Sequence, residues 1–148
     1  MKRTVNALLT AGVVLASVLL PTAATAAGPH TSSAAHHCGS LRPDTDFYAA
    51  GRVATVLLTV PNNPSCQTIS VSHLKDPTVP SDRCQVFLVI FYPADGSEPT
   101  ATEPVNACFH GPRSRPVVLA TAVPDGTQYR VLYQIDYLIQ HLTFKVWH

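Results

Sequence analysis

The chain has 148 residues, 46% hydrophobic and only 13% charged, with ten Lys and Arg against nine Asp and Glu. That near-balance leaves no basic stripe along the sequence, which argues against a nucleic-acid or anionic-membrane partner. Four cysteines and thirteen prolines point instead to a small, stapled, loop-rich domain.

Lys2 and Arg3 precede an uncharged apolar run of 14 residues at 7–20, followed by the small residues of 22–27. This is the layout of a secretory signal peptide, and the run is short for crossing a bilayer. Cleavage after Ala26 satisfies the pattern set by Ala24 and Ala26, with Ala27 as second choice. The sequence therefore predicts removal of 1–26, a flexible arm over 27–37 and a single exported β domain over 38–148. The expected location is secreted and extracellular, with no stable membrane insertion after cleavage.

Phe47 and Tyr48 read as a brief edge segment closed by Gly51. Residues 52–60 read as a strand with Ala54, Val56, Leu58 and Val60 on one face, and 67–73 as a second strand with Ile69 and Val71 inward. The turn chemistry of Pro61, Asn62, Asn63, Pro64 and Ser65 between them predicts a hairpin. After a Pro-rich loop comes 84–92, whose residues from Val86 to Tyr92 are all apolar or aromatic. Phe87, Val89 and Phe91 would face one side, and Val86, Leu88, Ile90 and Tyr92 the other. Such a strand is expected mid-sheet, covered on both faces.

Asp95 and Gly96 mark a turn, and the polar, Pro-punctuated return to Cys108 reads as an edge strand. Further strands are expected over 117–123 and 127–135, and an extended run over 138–147 with Leu138, Leu142, Phe144 and Val146 on one side. About seven short strands, with turn signals roughly every eight to twelve residues, predict an all-β, disulfide-stapled β-sandwich. The stretch Val123-Pro124-Asp125-Gly126-Thr127-Gln128-Tyr129-Arg130-Val131 resembles the tyrosine corner of immunoglobulin-like and fibronectin type III sandwiches. The resemblance implies that architecture, with the Tyr129 hydroxyl returning to upstream backbone, and implies no activity. It departs from antibody domains, because no cysteine lies two positions after Tyr129 and the one tryptophan is Trp147.

Cys38, Cys66, Cys84 and Cys108 admit three pairings. The midpoint of 84 and 108 is Gly96, inside a turn, and that of 38 and 66 is Arg52, beside Gly51, which favours pairs 38–66 and 84–108.

Catalytic signatures are absent: there is no Gly-x-Ser-x-Gly, no cysteine expected to be free, and the carboxylates are scattered. No catalytic residue, metal site or cofactor is expected. His30, His36 and His37 sit in the arm, and a copper clamp built on Gly28-Pro29-His30 fails because Pro29 has no amide proton. The binding candidates are His110, Arg113 and Arg115 on a Pro-stiffened loop beside Cys108, suited to an anion or carboxylate, together with Trp147. Tyr48, Tyr133 and Tyr137 join Trp147 as candidate aromatic hot spots. The expected function is a non-enzymatic binding domain for an extracellular protein or cell-surface component. The alternative is an inhibitor of secreted proteases presenting Arg83, Arg113 or Arg115. A small hydrolase would require His73, His110 or His141 to meet a Ser and an Asp in one cleft.

Overall fold

A computed structural model describes residues 38–148, all β, in two packed sheets. The expected signal segment 1–26 and arm 27–37, with their histidines, lie outside the described residues. The strands are β1 (Ser40–Leu41), β2 (Thr45–Phe47), β3 (Arg52–Thr55), β4 (Leu58–Thr59), β5 (Thr68–Lys75), β6 (Cys84–Tyr92), β7 (Thr100–Ala101), β8 (Val105–Cys108), β9 (Val117–Thr121), β10 (Gln128–Gln134) and β11 (Thr143–Trp147). Seven of these have four residues or more, in line with the sequence reading. One sheet runs β1-β11-β5-β9, and the other runs β2-β3-β10-β6-β7, with β4 on β10 and β8 on β6.

β6 lies inside its sheet, between β10 and the short return strands β7 and β8. Phe87 and Val89 enter the core with Val131, Tyr133, Phe144 and Ile69. Phe87 meets Phe144 edge-on at 5.1 Å and Tyr133 at 6.0 Å. The opposite face is not fully covered: Val86 is exposed and Leu88, Ile90 and Tyr92 are half-buried. Pairing at both edges, rather than cover on both faces, is what makes this strand central.

The expected hairpin of 52–60 with 67–73 does not form. β3 and β4 pair with β10, while β5 pairs with β9 and β11 in the other sheet. The Pro61–Ser65 turn chemistry is real, but it carries the chain from sheet to sheet. Val60 still bonds Thr127 on the near side, and the Gln67 carbonyl accepts from Val123 on the far side. Along β10 the register slips by one residue between Ala54 and Leu58, a bulge that leaves Val56 and Leu57 exposed. The alternation read in 52–60 is therefore interrupted where it looked most regular.

Both expected disulfides are present. Cys84 and Cys108 are register partners on β6 and β8, the arrangement expected from a fold-back near Gly96. Cys38 and Cys66 meet for another reason than a fold at Gly51. They precede β1 and β5, which flank β11 in one sheet. The tyrosine-corner expectation is also corrected. Tyr129 is buried, but its hydroxyl shares a 2.8 Å hydrogen bond with His148 Nδ1 instead of reaching upstream backbone.

Candidate functional site

The register gathers four connections at one end of the molecule: the β2–β3 turn, and the loops after β5, β8 and β10. The β2–β3 turn has positive φ at Ala50 and Gly51 and closes with Arg52 N–H donating to the Ala49 carbonyl. A side chain at Gly51 would strike Gln134 Nε2 at 2.9 Å, so this turn and the end of β10 are in close contact. Ile135 N–H donating to the Gly51 carbonyl ties them together.

Asp76 organises the centre of this end. Its Oδ1 accepts from the backbone N–H groups of Thr78 and Val79, which closes the loop after β5. Its Oδ2 accepts from the Tyr137 hydroxyl at 2.6 Å and Gln140 Nε2 at 3.4 Å, which fixes the loop after β10. Gln140 Nε2 also donates to Gln85 Oε1, and Gln85 Nε2 donates to the Gln134 carbonyl at 2.6 Å. Burial pushes the Asp76 carboxyl up, yet these donors outweigh it and hold the group below its ordinary value. Reading 138–147 as one extended run is thus corrected at its start. Leu142, Phe144 and Val146 are buried as expected, but Leu138 sits in a turn held over Asp76.

Beside this network lies a cleft of about 670 Å³ between the loops after β5 and β8. Leu74, Pro77, Pro80, Phe109 and Pro112 supply apolar wall, Lys75 and Arg83 supply positive charge, and Asp76 and Asp82 line the same cleft, the first turned into its hydrogen-bond network. The Cys84–Cys108 bridge stands at its base, where Phe109 N–H donates to the Arg83 carbonyl. The two loops therefore spring from one cross-linked point and are stiffened by proline.

The sequence candidates are partly assembled here. His110, Arg113 and Arg115 are exposed on the loop after β8, whose turn closes with Ser114 N–H donating to the Gly111 carbonyl. Trp147 is elsewhere, on the outward side of β11, where its Nε1 donates to Ser72 Oγ at 2.6 Å and Lys145 Nζ lies 5.9 Å from the ring centre. Tyr133 is core, Tyr137 is bound to Asp76, and Tyr48 remains exposed. His73 pairs with Ser72 Oγ at 2.7 Å, but that hydroxyl is buried and already accepts from Trp147. Desolvation, then Lys145, Arg42 and Lys75, lower the His73 pKa, and no carboxylate is among the groups acting on it. The pair sits at a bulge of β5 where His73 takes φ +54°. Among the described residues no cluster of three or more His, Cys, Asp or Glu is placed to hold a metal ion.

The sequence reading missed Asp76, Gln85 and Gln140, three polar side chains from separate elements that meet only through tertiary packing. It also missed Leu138 and Ile139, which are 83% and 86% exposed. No family model, curated protein or solved structure matches the chain.

Proposed function

We propose that this protein is a secreted, non-enzymatic binding domain whose ligand seat is the cleft between the loops after β5 and β8. The observation that carries this is the pairing of an apolar-walled cleft of about 670 Å³ with loops fixed by prolines and a disulfide at its base. Walls fixed before binding lower the ordering cost of complex formation. The two disulfides fit an oxidising compartment, which supports extracellular action. Leu74 and Phe109 favour an apolar group, and Lys75 and Arg83, whose charge Asp82 on the same wall partly offsets, favour an attached carboxylate or other anion. A projecting partner side chain or an amphiphilic small molecule from the cell surface has that chemistry.

The test is titration with an anionic apolar probe, anilinonaphthalene sulfonate, monitored by amide chemical shifts. Saturable shifts confined to 74–83 and 109–112, weakened about tenfold in Lys75→Ala/Arg83→Ala, are expected. Shifts elsewhere, or none, would remove the cleft as the seat. A parallel incubation with trypsin- and subtilisin-type proteases addresses the alternative. Stoichiometric inhibition with Arg83, Arg113 or Arg115 protected would replace this reading with that of an inhibitor.

A further inference from the structure

The turn after β10 presents two large aliphatic side chains to water from a rigid base. Gln140 N–H donates to the Tyr137 carbonyl at 3.2 Å, so Leu138 and Ile139 occupy the two central positions of a β-turn. Ile139 takes φ +67°. That position in such a turn favours glycine, and a β-branched residue there is strained. The base is fixed on both sides by Tyr137 and Gln140 on Asp76, and by Asp136 N–H donating to Gln140 Oε1 at 2.8 Å. A strained, braced and exposed aliphatic pair serves neither packing nor solubility.

Its surroundings indicate what it meets. Phe47, 67% exposed, and Tyr48 flank the β2–β3 turn bonded to Ile135, adding aromatic surface near the same tip. Arg52, Lys75, Arg83, Arg113 and Arg115 all fall at this end by strand register. Four acids lie at the same end: Asp76 is buried in its network, Asp82 accepts from Cys84 N–H, and Asp46 and Asp136 are exposed, so the five cations exceed the acids by one. The opposite end carries Asp95, Glu98 and Asp125, and its nearest cation is Arg130, opposite Ile90 on β6; residues 56–72, 89–106 and 118–129 contain no Lys or Arg. The molecule is therefore polarised, with its aliphatic tip at the positive pole.

We propose that the Leu138–Ile139 turn is a membrane-contact wedge that enters the interfacial layer of an anionic lipid surface, oriented by the excess of cations at its end of the molecule over the acidic opposite end. A convex aliphatic tip suits lipid, which needs no complementary socket, and the charge polarity turns that tip towards anionic headgroups. The contact is peripheral and leaves the β-sandwich outside the bilayer. It goes beyond the cleft reading and stands without it, since no wedge residue lines the cleft.

The test is flotation of the full chain with vesicles of phosphatidylcholine, alone or with about one-third phosphatidylglycerol, at low and high salt. Binding is expected to be about tenfold stronger to the anionic vesicles and to fall at high salt. Leu138→Ser/Ile139→Ser should lower it by roughly tenfold or more, whereas Leu57→Ser, an exposed residue on the distant bulge, should not. Ile139→Gly separates function from structure: it should hold or raise the melting temperature by relieving strain, and still weaken vesicle binding. Any binding contributed by the apolar segment 7–20 is common to all these chains. Equal binding by the wedge variant, equal binding to neutral vesicles, or none at all would overturn the proposal. Dye-induced shifts at 74–83 and 109–112 report on the cleft, and vesicle binding by Leu138→Ser/Ile139→Ser reports on the wedge, which shares no residue with the cleft lining, so either reading can fail alone.

Discussion

Asp76 shows how one buried carboxylate holds two loops in place. It receives two backbone and two side-chain donors, and a charged acceptor makes each of these hydrogen bonds stronger than a neutral one. Asp76→Asn removes the charge and turns an NH₂ group towards donors, and it should cost about 2 kcal/mol at neutral pH. The pH dependence follows from the depressed pKa. The unfolded chain takes up this proton first, near the ordinary 3.8, so the stabilisation is full above that value and is lost as pH falls through the folded pKa. Denaturant unfolding of the wild type should therefore steepen below about pH 4, and the Asn variant should lack that limb. A variant curve parallel to wild type down to pH 2–3 (~4 at its upper edge) would assign the acid loss to other groups. His148 acts in a separate window: burial lowers its pKa from 6.5, so its contribution is present above that value and fades on acidification below it.

At the level of elements, strand identity was legible and strand partnership was not. Alternation marks 52–60 and 67–73 as β because one face of each must be buried; 67–73 lies almost wholly in β5, and 52–60 is β on either side of Val56 and Leu57. Which sheet buries them depends on contacts that periodicity does not encode. The bulge between Ala54 and Leu58 illustrates the gap, since nothing in Val53-Ala54-Thr55-Val56 marks the slip. Its physical signature is Thr55, fully buried, whose Oγ1 accepts the Val131 N–H at 3.1 Å in place of a ladder carbonyl. Thr55→Val keeps the shape and strands that N–H, so it should cost about 2 kcal/mol, whereas Thr55→Ser keeps the acceptor and should lose only about 1 kcal/mol of methyl packing. Chemical denaturation of the pair decides this. Equal losses would mean that methyl packing, rather than the hydroxyl, secures the bulge.

At the scale of the whole molecule, a net charge near zero conceals a separation of charge. Counting residues along the chain showed no basic stripe, because Arg52, Lys75, Arg83, Arg113 and Arg115 come from four different stretches and meet only after folding. Four of the site's determinants were missed for the same reason: Asp76, Gln85, Gln140 and the Leu138–Ile139 turn are assembled by topology. The cysteines were easier, since oxidation pairs few candidates and the loops they close are short. Those loops are nearly equal, with sequence separations of 28 and 24, so the unfolded-state entropy removed by each is similar, about 3–4 kcal/mol. The consequences of losing them should nevertheless differ in place. Cys84 and Cys108 are already held by the β6–β8 ladder, and their loss loosens the base of the cleft. Cys38 and Cys66 secure β1, only two residues long, whose bonds to β11 reach as far as His148 N–H on the Gly39 carbonyl. Paired Cys→Ala variants should each lower the melting temperature by roughly 10 °C or more. Hydrogen exchange should then separate them: Cys84→Ala/Cys108→Ala accelerates exchange at Phe109 while the Val146–His148 amides stay protected, and Cys38→Ala/Cys66→Ala does the reverse. Matching exchange patterns in the two variants would show that the staples act only through the unfolded chain, with no local hold on β1 or on the cleft.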